Sequence, residues 1–217
     1  MPLESWFPTV IFFEDLQADP AVTRGAIAAV EERVDLKAIE KNGYVTANNA
    51  RNDLHLDRRI DALFDVMRPR IVHFLFELMQ FDPAQIEFYV GRCWPVVQIG
   101  NGYAGVLHHH GAAAFSGVFY LQTPDGSGGL EFHKPTRAAY DTFPKTSSSG
   151  LTYVTANYQA VENRLVMFSG ELMHRRLANS GGTADQRVAI AFDLFAMADI
   201  GAYTAGMPRA EYLKRVL

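Results

Sequence analysis

Residues 102–124 read GYAGVLHHHGAAAFSGVFYLQTP. Apolar and aromatic residues punctuated by glycine predict two short strands here, 103–110 and 115–122. The same texture extends in both directions. From residue 86 onward, segments rich in Val, Ile, Phe, Tyr and Thr alternate with the turn-forming runs GNG, PDGSGG, KTSSSG and NSGGTADQ. Further strands are predicted near 87–99, 129–133, 151–160, 164–168, 171–178 and 187–195. Eight short strands separated by such turns predict a closed sandwich or jelly roll.

The first third of the chain has a different pattern. Val10, Ile11, Phe12 and Phe13 before Glu14 and Asp15 look like a short buried strand. Asp19 and Pro20 can open a helix over 20–35, with Ile27, Val30 and Val34 at helical spacing. The polar run NGYVTANNARND, 42–53, reads as a loop. Ile60, Leu63, Phe64, Met67, Ile71, Phe74, Leu75 and Leu78 predict an amphipathic helix over 57–79, kinked or split at Pro69. Residues 208–217 look like a brief terminal helix, with Met207 and Tyr212 free to pack on the body or on another subunit. The expectation is a mainly β protein with flanking N-terminal helices. It has one domain over 1–217: a helical buttress at about 18–80 and a jelly-roll core at about 87–196.

Composition narrows the partners. The chain has 217 residues, 48% of them hydrophobic, and a formal net charge of −4 without any dense Lys/Arg run. Neither a nucleic-acid footprint nor an anionic-membrane patch is expected from that balance. Cys93 is the lone cysteine, which rules out an intrachain disulfide and a cysteine-built zinc site, and suits a reducing compartment. The start, MPLESWFPTVIFFEDL, has no apolar run long enough for a signal core. A cytoplasmic protein acting on a small molecule or peptide is expected, and general frequencies of assembly favour a homodimer.

The histidines carry the chemistry. On a strand, side chains alternate between faces, so His108 and His110 would share one face and His109 would point away. Two convergent imidazoles suit zinc, copper, iron or nickel. His174, in LVMFSGELMHRRLAN, is expected at the mouth of the same sheet. Arg187 heads the apolar strand VAIAFDLF. If it points inward it must find an anion, and its planar fork suits a carboxylate. Glu131 and His133 share parity on one strand, so one of them can orient a ligand imidazole. Arg176 shares the face of His174 and can meet an acidic substrate. Nothing chemical surrounds His73, which reads as a packing or partly exposed residue, and neither it nor His55 is taken as a site residue.

Taken together, GYAGVLHHHGAAAFSGVFYLQTP, GGLEF, LVMFSGELMHRR and QRVAIAF resemble a small bacterial and phage group of 2-oxoglutarate and Fe(II) dependent oxygenases. The group shows a Gly six residues before an HxH pair, an SGVYYL-like strand, a Phe six residues before a distal His, and a later Arg. Here these are Gly102, His108 with His110, Ser116 to Leu121, Phe168 with His174, and Arg187. The resemblance spans 94–195. It implies a double-stranded β-helix (jelly roll, cupin-like), Fe(II) on His108, His110 and His174, and Arg187 on the distal carboxylate of 2-oxoglutarate.

Two departures stand out. The usual triad has a carboxylate where this chain has His110, so His110 is either a direct ligand or a support behind one. Ala189 stands two beyond Arg187, where related oxygenases often have Ser or Thr to help hold the cosubstrate. Tyr103, Tyr120 and Gln98 are the candidate replacements. Two other classes fit parts of the pattern: a three-histidine cupin-type metalloenzyme that does not use 2-oxoglutarate, and a noncatalytic jelly-roll binding module.

Overall fold

The computed structural model describes residues 6–34, 44–46, 52–100, 103–180, 186–198 and 214–216. The chain opens with β1 (Ile11–Asp15). Asp19 accepts a hydrogen bond from the Ala21 N–H at 2.7 Å, and Pro20 occupies the first turn. That cap starts α1 (Pro20–Glu31), because the first N–H groups of a helix need an outside acceptor and proline has none to satisfy. The expected long second helix is wound in three ways: a 3-10 turn at Arg58–Ile60, α2 (Asp61–Val72), and a wider π turn at His73–Leu78. Pro69 does not split it. The ring removes one hydrogen bond and crowds the preceding turn, yet α2 runs on through it to Val72 before the wider winding begins at His73.

Two antiparallel sheets follow. The larger contains, in order, β1, β7 (Arg164–Ser169), β4 (Phe115–Gln122), β9 (Gln186–Ala198), β3 (Ile86–Ile99) and β10 (Lys214–Arg215). The smaller has β6 (Thr155–Tyr158), β5 (Leu130–His133) and β8 (His174–Arg176) in that order. β3 pairs with β9 along its length, with a register shift between Val90 and Arg92 that leaves Gly91 as the extra residue. Two antiparallel sheets with helices on one outer surface are the jelly roll that the strand count and the turns predict, in the double-stranded β-helix form that the resemblance implies.

Period-two alternation sorts the side chains of the large sheet. On β9, Val188, Ile190, Phe192 and Leu194 join the core shared with α1 and α2. Arg187, Ala189 and Ala191 face the other way, into the space between the sheets. Phe115 and Phe119 of β4 lie on the helix side, where Phe74 meets Phe115 edge-on at 5.1 Å between ring centres. Burying a large apolar side chain in this layer stabilises the fold by roughly 1.5–3 kcal/mol. A second cluster, with Phe132, Val166 and Phe168, fills the space between the sheets beside the site.

Three expectations change. Residues 103–110 are not a strand. The segment runs across the mouth of the sandwich as a strap, joined to its neighbours by Gly105 N–H to Arg176 O, His108 N–H to His174 O and His110 N–H to Gly170 O. The polar run 42–53 contains a strand, β2 (Tyr44–Thr46), and the terminal segment contains β10 instead of helix at Lys214 and Arg215. Both pair with the edge of β3 left free by β9, β2 at Val96–Gln98 and β10 at Tyr89–Val90. Unpaired backbone groups along a long edge favour such short partners. Residues 208–213, with Tyr212, lie outside the described residues, as do Met207 and Gly102. No helix among the described residues is long and apolar enough to cross a membrane.

Candidate metal centre

His108 and His110 come from the strap and His174 from the start of β8. One ring nitrogen of each lies within 4.8 Å of the other two, and among the described residues this is the one such grouping of three His, Cys, Asp or Glu side chains. Ring centres are 5.2 Å apart for His108 and His110, 4.5 Å for His108 and His174, and 4.9 Å for His110 and His174. The isolated bridge between residues 108 and 174 sets this meeting. Phe168 and Phe132 brace the His174 ring, at 4.6 and 6.0 Å between centres.

The outer nitrogens determine what the inner ones can do. His108 Nδ1 is 2.8 Å from the carbonyl oxygen of Val106, and His174 Nδ1 is 2.8 Å from that of Leu172. A carbonyl only accepts, so both Nδ1 atoms carry the proton and both Nε2 lone pairs are free. His110 Nδ1 meets a carboxylate, Asp193 Oδ1, at 2.6 Å. Its Nε2 then lies 3.2 Å from His108 Nε2. With no proton between them, two lone pairs this close repel each other, whereas a shared cation would attract both. Burial holds His174 far below the usual imidazole range, at about 3, and lowers His108 in the same direction. Both are therefore unprotonated at neutral pH, with a lone pair available to a metal. The donor set fits a divalent transition metal.

Beside the imidazoles is a cavity of about 290 Å³, walled largely by Trp94, Val96, Val118, Leu130, Ala189 and Ala191. Arg187 also lines it and is only 2% exposed. Its Nη2 donates to Gln98 Oε1 at 2.8 Å and its Nη1 to the carbonyl of Gly128, while its Nε has no hydrogen-bond partner. None of the ion pairs among the described residues gives it a carboxylate. Burial pushes its pKa down, so the guanidinium is under pressure to find an anion. Tyr120, 1% exposed, lines the same cavity, and burial pushes its hydroxyl up to about 12. Its phenol thus stays protonated and able to donate.

Other expected site residues lie elsewhere. The Tyr103 side chain is 77% exposed and is not part of the cavity wall. Residue 103 touches the site through its carbonyl, which accepts from Arg176 Nη1 at 2.7 Å. The strap is not a strand, so alternation does not turn this phenol inward. Gln98 holds Arg187 in place. Glu131 accepts from Arg175 and pairs with His133, at 2.7 and 2.9 Å, and neither reaches a ligand imidazole. Phe132, paired with His174, is the inward residue of β5, which sends its neighbours outward. His109 is exposed and accepts from the Gly111 N–H.

The sequence reading passed over Asp193. It sits in the apolar strand VAIAFDLF at the same parity as Arg187, and the reasoning applied to a buried arginine there applies equally to a buried carboxylate.

Comparison with known proteins agrees with this architecture. Residues 92–193 match the family model described as "Putative 2OG-Fe(II) oxygenase". Among solved structures, the non-heme alpha ketoglutarate dependent epimerase SnoN from nogalamycin biosynthesis superposes with a TM-score of 0.61 at 12% identity, covering 96% of this chain and 94% of its own. The carbocyclase SnoK from the same biosynthesis gives 0.59 at 14% identity, covering 96% and 92%. A Pseudomonas putida prolyl-4-hydroxylase gives 0.50 at 15% identity, covering 85% and 92%. At these identities the likeness concerns the fold. No curated protein matches by sequence. Over residues 92–193, just under half of its length, the chain is similar to the 2OG-Fe(II) oxygenase family, and its fold is the one those enzymes have.

Proposed function

We propose that His108, His110 and His174 hold the Fe(II) of this oxygenase, and that Arg187, with Tyr120 beside it, holds the distal carboxylate of 2-oxoglutarate. The supporting observation is the pairing, across one cavity, of three convergent Nε2 atoms with a buried guanidinium that has no acid partner among the described residues. The family is an enzyme family, its cofactors are Fe(II) and 2-oxoglutarate, and it acts on small molecules. A peptide substrate and a cytoplasmic setting remain proposals for this chain, the latter because its one cysteine is buried and unpaired.

Bound there, iron and 2-oxoglutarate would activate dioxygen, the four-electron oxidant, two electrons coming from 2-oxoglutarate as it becomes succinate and carbon dioxide and two from an otherwise unreactive substrate C–H bond. The protein binds and orients. The three imidazoles, which line one cavity, would hold the metal there and leave the rest of the cavity for cosubstrate. Arg187 fixes the far end of the 2-oxo acid, Tyr120 Oη retains its proton as a donor, and Ala189 and Ala191 between them keep the floor low enough for both ligands. The apolar walls exclude water and place the substrate carbon.

The test is anaerobic addition of Fe(II) and 2-oxoglutarate, then oxygen. A visible charge-transfer band followed by succinate is expected; absence of both removes the assignment. Arg187→Met should weaken 2-oxoglutarate by about 2–5 kcal/mol while leaving Fe(II) affinity unchanged. The all-histidine set also suits a metalloenzyme that chelates its substrate without 2-oxoglutarate. Equal 2-oxoglutarate binding by wild type and variant would favour that reading.

A further inference from the structure

The three imidazoles are not held alike. Two of them lean on backbone carbonyls, which carry no charge, whereas His110 leans on a carboxylate. Asp193 is 1% exposed. Its Oδ1 accepts from His110 Nδ1 at 2.6 Å and from the Ser116 hydroxyl at 2.7 Å, and that hydroxyl lies 2.8 Å from His110 Nδ1. Its Oδ2 is 2.9 Å from Arg92 Nε, an ion pair by distance without the alignment of a hydrogen bond. Arg92 Nη2 also donates to the backbone carbonyl of His110 at 3.2 Å. Strands β3, β4 and β9 each contribute one residue to this clasp, and all of it closes on one ring.

A buried carboxylate is costly unless every lone pair is used. A core needing only to fill this position would use an apolar residue. Instead, three polar residues on three strands converge to grip His110 by both its ring and its backbone. We propose that Asp193 is a positioning residue of the metal centre. It fixes the direction of His110 Nε2 and supplies, one imidazole removed from the metal, the negative charge that none of the three direct ligands brings. A carboxylate behind a ligand histidine fixes its tautomer and makes its lone pair more basic. The inference rests on the three-histidine reading of the site.

Asp193→Asn keeps the shape and an acceptor oxygen while removing the charge. Cobalt(II) titration followed by absorption should show wild type binding the metal and Asp193→Asn binding it about 10–100-fold more weakly. The ligand-field bands of the variant should also be displaced. Ser116→Ala, which leaves the ion pair intact, should lose less. The proton NMR spectrum of cobalt-loaded wild type should show three exchangeable, hyperfine-shifted Nδ1–H signals, the His110 signal being the slowest to exchange with solvent.

If wild type takes up no cobalt(II), the three-histidine reading falls and this inference with it. If wild type and Asp193→Asn bind alike with the same bands, only the role of Asp193 is overturned. Should Asp193→Asn fail to fold, the wild-type spectrum decides: a His110 signal that exchanges more slowly than the other two supports the assignment, and one that exchanges as fast as either of them overturns it.

Discussion

A buried histidine that cannot take up a proton makes folding sensitive to acid. In the metal-free protein, His174 stays neutral down to about pH 3, while in the unfolded chain it has the ordinary value of 6.5. Across that interval the unfolded chain binds more protons, so stability is full above 6.5 and falls as pH drops toward 3. His108, lowered for the same reason, adds in the same direction. Urea midpoints of metal-free protein at neutral pH and midway through the interval should show the decline, and His174→Gln should flatten it. The residues of the centre differed in legibility. Histidines and an arginine at suggestive spacings could be read because few other roles suit them. Asp193 was not, because an aspartate within an apolar strand shows its purpose only once Ser116 and Arg92, far away in sequence, are placed around it.

Elements were legible where a repeating pattern fixed them. β3, β4, β7 and β9 lie within a residue or two of the expected 87–99, 115–122, 164–168 and 187–195, except that β9 runs on to Ala198. The strap defeated the reading because its hydrogen bonds, from residues 105, 108 and 110, follow no period that alternation could reveal. His108 and His110 do converge, but a non-strand backbone aims them. Within β4, Gly117 has a packing reason. A Cβ there would stand 2.2 Å from the Phe192 ring across the strand pair. Phe192 is fully buried and meets Phe64 edge-on at 5.8 Å, so it has little room to yield. Gly117→Ala should therefore cost about 1–3 kcal/mol. Thermal unfolding should register this as a fall of about 2–4 °C per kcal/mol.

Across the whole molecule, the large sheet serves two environments: a tightly packed helix-facing core and an open face that holds the cavity. The chain's last described strand supports the first of these. Lys214 bonds to the Asp61 carboxylate and the His55 carbonyl, Arg215 pairs with Glu87, and Val216 is buried. All of these contacts lie on strands and helices that carry none of the three clustered histidines. Removing residues 214–217 should lower stability by about 1–3 kcal/mol, seen in the unfolding midpoint. Cobalt(II) affinity of the folded protein should stay unchanged. The terminal strand was hidden in the sequence because two paired residues carry no pattern of their own and form only where a neighbouring edge is waiting.

The extra residue in β3 has an effect that a composition table would miss. Before Gly91, Phe88 and Val90 point toward the helices; after it, Trp94 and Val96 carry the same even parity but line the cavity, and Arg92 and Gln98 meet Asp193 and Arg187. A single added glycine acts as a phase inverter, dividing one continuous ribbon into a structural half and a chemical half. It follows that residues on either side of Gly91 answer to different constraints although they look alike in the sequence. Excising that glycine would leave every functional side chain of the strand chemically intact and facing the wrong way.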